Sequence, residues 1–435
     1  MDIFIVIILI LVFILAVLFG APLFTIIGGA AVLLFYFIAE GSMTAIIVEM
    51  GRLANAPGMI AIPLFIFSGF IFAESNASNR LIKLSNALLG WLPGGLAVVT
   101  VVVCTIFTAM TGGAGVTIIA CGGILYTALK KNNFNESFSL GFVTSSASSG
   151  VLFVPSLPII IYGMIAKTDI TELFIAGIIP GLFIVFLLSG YGIYYGLKNK
   201  VPTIPFSIKT LLNALWEMKW IIPLPFLVVG GIYSGFITVG EAASVSAVYA
   251  LISECVIYRE ISLKNLFDIT IKSMSMVGAV LIVLGAALGL TNFLVDQEIP
   301  QMLMVVITDH ISSKIAFLLI LNVFLLIVGC TMDIFSAIVV VVPLIAPVAA
   351  EFGIDPVHLG IIFLANLQIG YITPPVGMNL FIASLRFNVS VMRLYRMVIP
   401  ALILFILALL IISYWPKFSI FLLELIGQRT PLLQI

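Results

Sequence analysis

Four short interruptions in an otherwise apolar chain hold the residues best suited to chemistry. They are Thr111-Gly112-Gly113-Ala114-Gly115, Pro155-Ser156-Leu157-Pro158, Gly329-Cys330-Thr331-Met332-Asp333 and Thr373-Pro374-Pro375-Val376-Gly377. Glycine permits backbone conformations that turn carbonyls outward. Proline removes a donor and frees the carbonyl one turn back. Freed carbonyls in hydrocarbon are costly unless they line a cavity or hold an ion. Carbonyl, hydroxyl and carboxylate oxygens suit a hard cation such as sodium, by the oxygen preference of other hard cations. The candidate cation ligands are therefore Thr111, Gly112, Gly113, Ala114, Pro155, Ser156, Thr331, Met332, Asp333, Thr373, Pro374 and Gly377. Thr111, Ser156, Thr373 and Pro375 are the candidates for touching a transported solute. Asp333, Thr331 and carbonyls around Thr373 are expected to form one sodium site. Carbonyls of Thr111 to Ala114 with Pro155-Ser156 would form the other.

Asp333 stands apart among the acids. It falls halfway along an apolar stretch, where a charge is expensive and marks an ion or solute pathway. Its competing role is to cap the helix that follows. No Lys or Arg falls mid-membrane, so an anionic solute must be balanced by bound cations and helix N-termini. That points to cation coupling. Other chemistries find little footing. There is no GxxxxGK[ST] loop for ATP. His310 and His358 fall in expected outer loops, without HExxH spacing. The run Ser145, Ser146, Ser148, Ser149 lacks a base and reads as small residues for close helix packing. Cys104, Cys121, Cys255 and Cys330 lie apart in apolar segments and read as small buried side chains. The chain is not expected to be an enzyme.

The elements that position these breaks are membrane spans. The 435 residues are 62% hydrophobic and 9% charged, against about 25% charged in soluble domains. With no polar block long enough to fold alone, 1–435 reads as one all-α, multi-pass membrane unit. At about 20 residues per crossing, spans are expected near 2–20, 22–39, 59–75, 137–165, 173–197, 220–237, 241–258, 268–295, 357–385 and 398–416. The N-terminal run has no basic n-region and is followed at once by a second apolar run, unlike a cleaved signal. Stretches 96–129 and 315–350 are too long for one helix and break halfway, so they are expected to be re-entrant hairpins. With both re-entrant, most of the nineteen basic residues, Lys130 and Lys131 among them, fall on one side. Arg52, Lys167, Lys314, Lys417 and Arg429 fall on the other. This is the positive-inside bias.

The two breaks of each type repeat. At one fixed displacement Leu140-Gly141 falls on Leu359-Gly360, and Val154-Pro155-Ser156 on Thr373-Pro374-Pro375. Each half runs as a short amphipathic segment (Asn79 to Trp91, Pro300 to His310), a hairpin, a polar loop and a Pro-broken helix. Lys130-Lys131 and the acidic loop Glu351 to Asp355 should face opposite sides, as an inverted repeat requires. Segments 1–58 and 173–267 supply scaffold-type helices. Segments 59–172 and 268–416 are the two halves of a transport domain.

The chain resembles the large membrane subunit of the tripartite ATP-independent periplasmic (TRAP) transporters. The resemblance rests on Ile62-Pro63-Leu64-Phe65-Ile66, Leu92-Pro93-Gly94-Gly95-Leu96, Leu173-Phe174-Ile175-Ala176-Gly177, Gly240-Glu241-Ala242-Ala243, Gly353-Ile354-Asp355-Pro356 and Gly370 with Thr373 to Met378. It implies an elevator-type, sodium-coupled importer of a small organic acid in the bacterial or archaeal inner membrane. It also implies two separate partners, an extracytoplasmic substrate-binding protein and a small membrane subunit. Thr111-Gly112-Gly113-Ala114 departs from the family's Ser-Gly-Ser-Ser-like tip and Val154-Pro155-Ser156 from its Pro-Pro-Ser, leaving more of the first cation site to carbonyls. The alternatives are a stand-alone cation-coupled organic anion transporter and, from other classes, a channel or a membrane scaffold.

Overall fold

The computed structural model describes residues 58–203 and 205–427, together with 16, 21–37, 47–48, 50–51 and 53. The expected crossing at 2–20 thus lies almost wholly outside the described residues. The described residues form helices and no strand, since hydrocarbon requires each backbone donor to find its acceptor within its own segment. After α1 (Leu23–Phe37), α2 (Ala61–Glu74) and α3 (Ala77–Leu89) meet at a 74° bend. The first hairpin rises through α4 (Gly95–Thr111) and returns through α5 (Ala114–Thr117), a π turn at Ile118–Gly122 and α6 (Gly123–Lys131). The first broken helix is α7 (Glu136–Ser146) and α8 (Leu157–Ala166). Next come α9 (Ile170–Lys198), α10 (Ile208–Met218), α11 (Pro223–Tyr233) and α12 (Val239–Leu251), the last running into a π turn at Ile252–Ile257.

The second half repeats the order. A long α13 (Leu263–Asp296) and short α14 (Ile299–His310) lead to a second hairpin, α15 (Lys314–Thr331) and α16 (Ile334–Glu351). The second broken helix is α17 (Pro356–Gly370) and α18 (Met378–Phe387), followed by α19 (Val391–Tyr414) and α20 (Lys417–Leu425). Lys314 Nζ donates to Gly353 O at 2.8 Å, and the Phe317 and Phe352 rings stack 4.4 Å apart. The second hairpin therefore begins and ends at the same level. Both broken helices carry a cis X–Pro bond, Val154–Pro155 and Pro374–Pro375, one residue apart in the register of the repeat. In both halves the hairpin's first arm approaches the broken helix at a glycine. A Cβ on Gly150 would lie 2.4 Å from Thr105 O, and one on Gly370 would lie 2.4 Å from Gly329 C. Only glycine fits such a backbone approach.

Side-chain caps close several helix starts. Asn135, Asp169, Ser207, Ser262 and Asp355 each accept first-turn N–H groups, and Thr238 with Glu241 forms a capping box. Three acids, Asp169, Glu241 and Asp355, are thus structural caps.

Three local outcomes differ from the sequence reading. The amphipathic α10 and the terminal α20 were not foreseen as elements, being too short to register as spans. His358 lies in the first turn of α17, buried, with Nδ1 3.2 Å from Ser419 Oγ; Pro356 starts the helix earlier than a loop reading assumes. Glu254, expected at a span end, is fully buried in the second π turn, 3.5 Å from the nearly buried Arg80 of α3. Arg80 also pairs with Glu260 and lies 3.6 Å over the Tyr258 ring. A buried charge persists only when so paired, and this cluster ties α3 to the end of α12.

Candidate functional site

At the first hairpin tip α4 ends on Thr111, whose hydroxyl donates to Phe107 O at 2.8 Å. Gly112 then takes the left-handed conformation, φ 70°. A Cβ there would sit 2.2 Å from Leu157 Cδ1, so the tip rests directly on the start of α8. Gly113 is extended and stands as the N-cap of α5, with no side chain to offer. The arms are joined just below, where the hydroxyls of Thr108 and Thr117 lie 2.7 Å apart and Thr108 donates to Ala147 O at 2.6 Å.

The second tip is built differently. Met332 and Asp333 are extended. The Asp333 carboxylate accepts from Phe335 N at 3.0 Å and Ser336 N at 3.1 Å, and also from the Ser336 hydroxyl. The capping role is therefore filled, with a charge kept at the tip. Thr331 Oγ1 donates to Ile327 O at 3.0 Å, and Thr373 Oγ1 to Ile369 O at 2.8 Å. Gly377 N donates to Cys330 O at 3.2 Å, a direct link from the second tip to the second broken helix. The Tyr371 hydroxyl accepts from Ile334 N at 3.4 Å.

Between the tips lies a cavity of about 370 Å³. Gly113, Ala114, Gly115, Val116 and Ile119 line it from the first hairpin, Asp333 and Phe335 from the second. Tyr371, Met378 and Ile382 close it from the second broken helix, and Met276, Ala279, Val280 and Val283 from α13. Of the residues singled out from sequence, the structure brings Gly113, Ala114 and Asp333 to one cavity. Thr111, Gly112, Ser156, Thr331, Met332, Thr373, Pro374, Pro375 and Gly377 surround the tips and breaks without lining it. Pro155 lines a different, apolar cavity of about 280 Å³ with Phe65, Ser68 and Thr105.

Sequence reasoning missed two groups. Tyr371 and the wall of α13 gave no signal beyond apolar spans. The serine run did, but its part was read as packing. Ser145, Ser146, Ser148 and Ser149 are wholly buried where the first broken helix opens. Ser149 Oγ lies 2.7 Å from Thr105 Oγ1, and Asn379 Nδ2 of α18 donates to Ser148 Oγ at 2.9 Å. This bond joins the two broken helices across the repeat. With Thr108, Thr117 and the Gly113 and Ala147 carbonyls it places a dense set of oxygens behind the first tip. The Oγ atoms of Ser145, Ser146 and Ser156 and Asn379 Oδ1 are buried without a protein partner.

The family model described as "Tripartite ATP-independent periplasmic transporter, DctM component" matches residues 10–418. The isethionate TRAP transporter permease protein DctMQ of Oleidesulfovibrio alaskensis is 36% identical over 365 residues; the match takes in 83% of this chain and 58% of that longer protein. The C4-dicarboxylate TRAP transporter large permease protein DctM of Pseudomonas aeruginosa is 31% identical over 402 residues, covering 92% of this chain and 93% of that protein. Among solved structures, the YdaH transporter of Alcanivorax borkumensis superimposes with a TM-score of 0.56 at 14% identity, over 86% of this chain and 88% of that one. That last likeness shows a shared fold.

Proposed function

The chain belongs to the DctM family as the large membrane subunit of a TRAP transporter, and from that premise we propose that it imports a small organic acid by coupling it to sodium. The observation that carries this reading is the cavity bounded by both hairpin tips, with Asp333 on its wall and oxygen-lined breaks behind each tip. Small acids are the cargo named for the isethionate and C4-dicarboxylate relatives. One sodium site would use Asp333, Thr331 and carbonyls around Thr373 and Gly377. The other would use carbonyls of Thr111 to Ala114 with Ser148 and the Pro155-Ser156 break. Hydroxyl and carbonyl oxygens of this density suit a hard cation, and among the described residues no basic side chain lines the cavity to balance an acid instead.

Transport would run as an elevator. The hairpins and broken helices, in the halves 59–172 and 268–416, would carry the acid past helices of 1–58 and 173–267. A small membrane subunit and an extracytoplasmic binding protein would be separate polypeptides, working with this chain at the cytoplasmic membrane.

The test is uptake into proteoliposomes holding the chain and its small subunit, with binding protein outside. Uptake should require an inward sodium gradient. Asp333→Asn keeps the cap and removes the charge; half-saturating sodium should rise about tenfold, the equivalent of one charge-assisted contact. An inserted Asp333→Asn variant with wild-type sodium dependence would remove Asp333 from the site.

A further inference from the structure

The cavity between the tips says what kind of acid fits it, and this step rests on the transport reading above. Its volume, about 370 Å³, is at the small end for ligand pockets. Among the described residues only two polar side chains line it, Asp333 and Tyr371, and both are engaged. The Asp333 oxygens already accept from Phe335 N, Ser336 N and the Ser336 hydroxyl, and Tyr371 accepts from Ile334 N. The remaining wall is glycine, alanine and larger apolar side chains such as Ile119, Val280 and Met378.

We infer that the transported acid is a monocarboxylate with a compact aliphatic body, and that this wall selects against dicarboxylates and polyhydroxylated sugar acids. A single head group has a donor in the Tyr371 hydroxyl and a counter-charge in the coupling sodium. A second carboxylate would meet no cation among the described wall residues and would share the cavity with Asp333. Each sugar hydroxyl would be buried against carbon. An unpaired buried polar group of this kind weakens binding by about tenfold or more. An aliphatic body instead gains from every methylene placed against Ile119, Val280 and Met378.

Occupancy can be read without the binding protein, whose own selectivity would mask the cavity's. Ala279 lines the cavity and is exposed to it, so Ala279→Cys, with the native cysteines replaced, reports there by N-ethylmaleimide labelling of the chain with its small subunit in nanodiscs. In sodium, 3-methylbutanoate should slow labelling about fivefold or more, while succinate and N-acetylneuraminate leave it unchanged; in choline none should protect. Met276 reaches the first tip, 3.9 Å from where a Cβ on Gly113 would stand. Met276→Lys keeps an unbranched chain of similar length and adds the missing cation, so succinate should now protect. Protection of the unsubstituted wall by succinate or N-acetylneuraminate equal to that by 3-methylbutanoate overturns the inference and leaves sodium-coupled transport standing. So does a Met276→Lys variant that still ignores succinate. If no acid protects while sodium-driven uptake is intact, the cavity is not the acid's site and the inference falls. If sodium-driven uptake is itself absent, the transport reading falls first.

Discussion

At the first hairpin tip the second arm begins behind Gly113, which offers its first turn no side chain, whereas at the second tip Asp333 folds its carboxylate back onto Phe335 N and Ser336 N. The two tips hold equivalent places in the repeat, and both face the same cavity. They differ in how they handle the positive end of a helix. The first leaves it to whatever fills the cavity, and two glycines let the backbone come close. The second neutralises it internally and keeps a carboxylate at the rim. The arms differ in the same sense. The first pair is joined by the Thr108–Thr117 bond. In the second pair α15 packs chiefly on α17, while α16 packs on α8, α13 and α14. A duplicated frame has thus been given one backbone-built tip and one charged tip, a difference that the proposed sodium-coupled transport would use.

Removing the backbone device should have the largest effect. Gly112→Ala forces a left-handed residue, costing about 1–2 kcal/mol, and drives a Cβ into Leu157, adding about 1–3 kcal/mol for overpacking. Thermal unfolding should show the loss, and uptake should be abolished. A variant that melts and transports like the wild type would mean that the first tip does not need its glycine.

Gly113→Asp converts the first tip into a copy of the second. The position is extended, and the nearest atom to a Cβ is Val116 Cγ2 at 3.6 Å, so the side chain has room. Capping α5 should stabilise the protein by about 0.5–2 kcal/mol. A second carboxylate in the cavity should at the same time lower acid uptake about tenfold. Stability and uptake moving together, in either direction, would erase the contrast between the tips.

The smallest effect belongs to the arm junction. Thr108→Val, Thr117→Val and the double variant form a thermodynamic cycle. A coupling of about 0.5–1.5 kcal/mol in unfolding is expected for one buried hydroxyl pair. Strict additivity would show that the first hairpin is held by packing alone.

Much of the frame was legible before any coordinates. Hairpin breaks expected at 111–115 and 329–333 lie at Gly112-Gly113 and Met332-Asp333, because Gly and a charged residue inside apolar runs are costly and leave clear marks. The Pro-broken helices open between Ser146 and Leu157 and between Gly370 and Met378, for the same reason. The candidate site was legible only as a list. Asp333, Gly113 and Ala114 do share one cavity, but Ser156 and Thr373 sit behind it, and the wall from α13 was invisible.

What the sequence determined alone was the solvent, the all-helical class, the order of elements and the family. Those depend on local composition, and a bilayer reads local composition directly: each segment must be apolar enough and satisfy its own backbone. What only the tertiary structure decided was which side chains meet. Asn379 bonds Ser148 across 231 residues, and Arg80 of α3 meets Glu254 in the second π turn and Glu260 just beyond it. In a soluble helix the polar face would announce which side is buried. In a membrane both the lipid face and the core face are apolar, so that periodicity is erased. The partner of each helix, and with it the wall of the cavity, is then set by the packing of segments far apart in the chain.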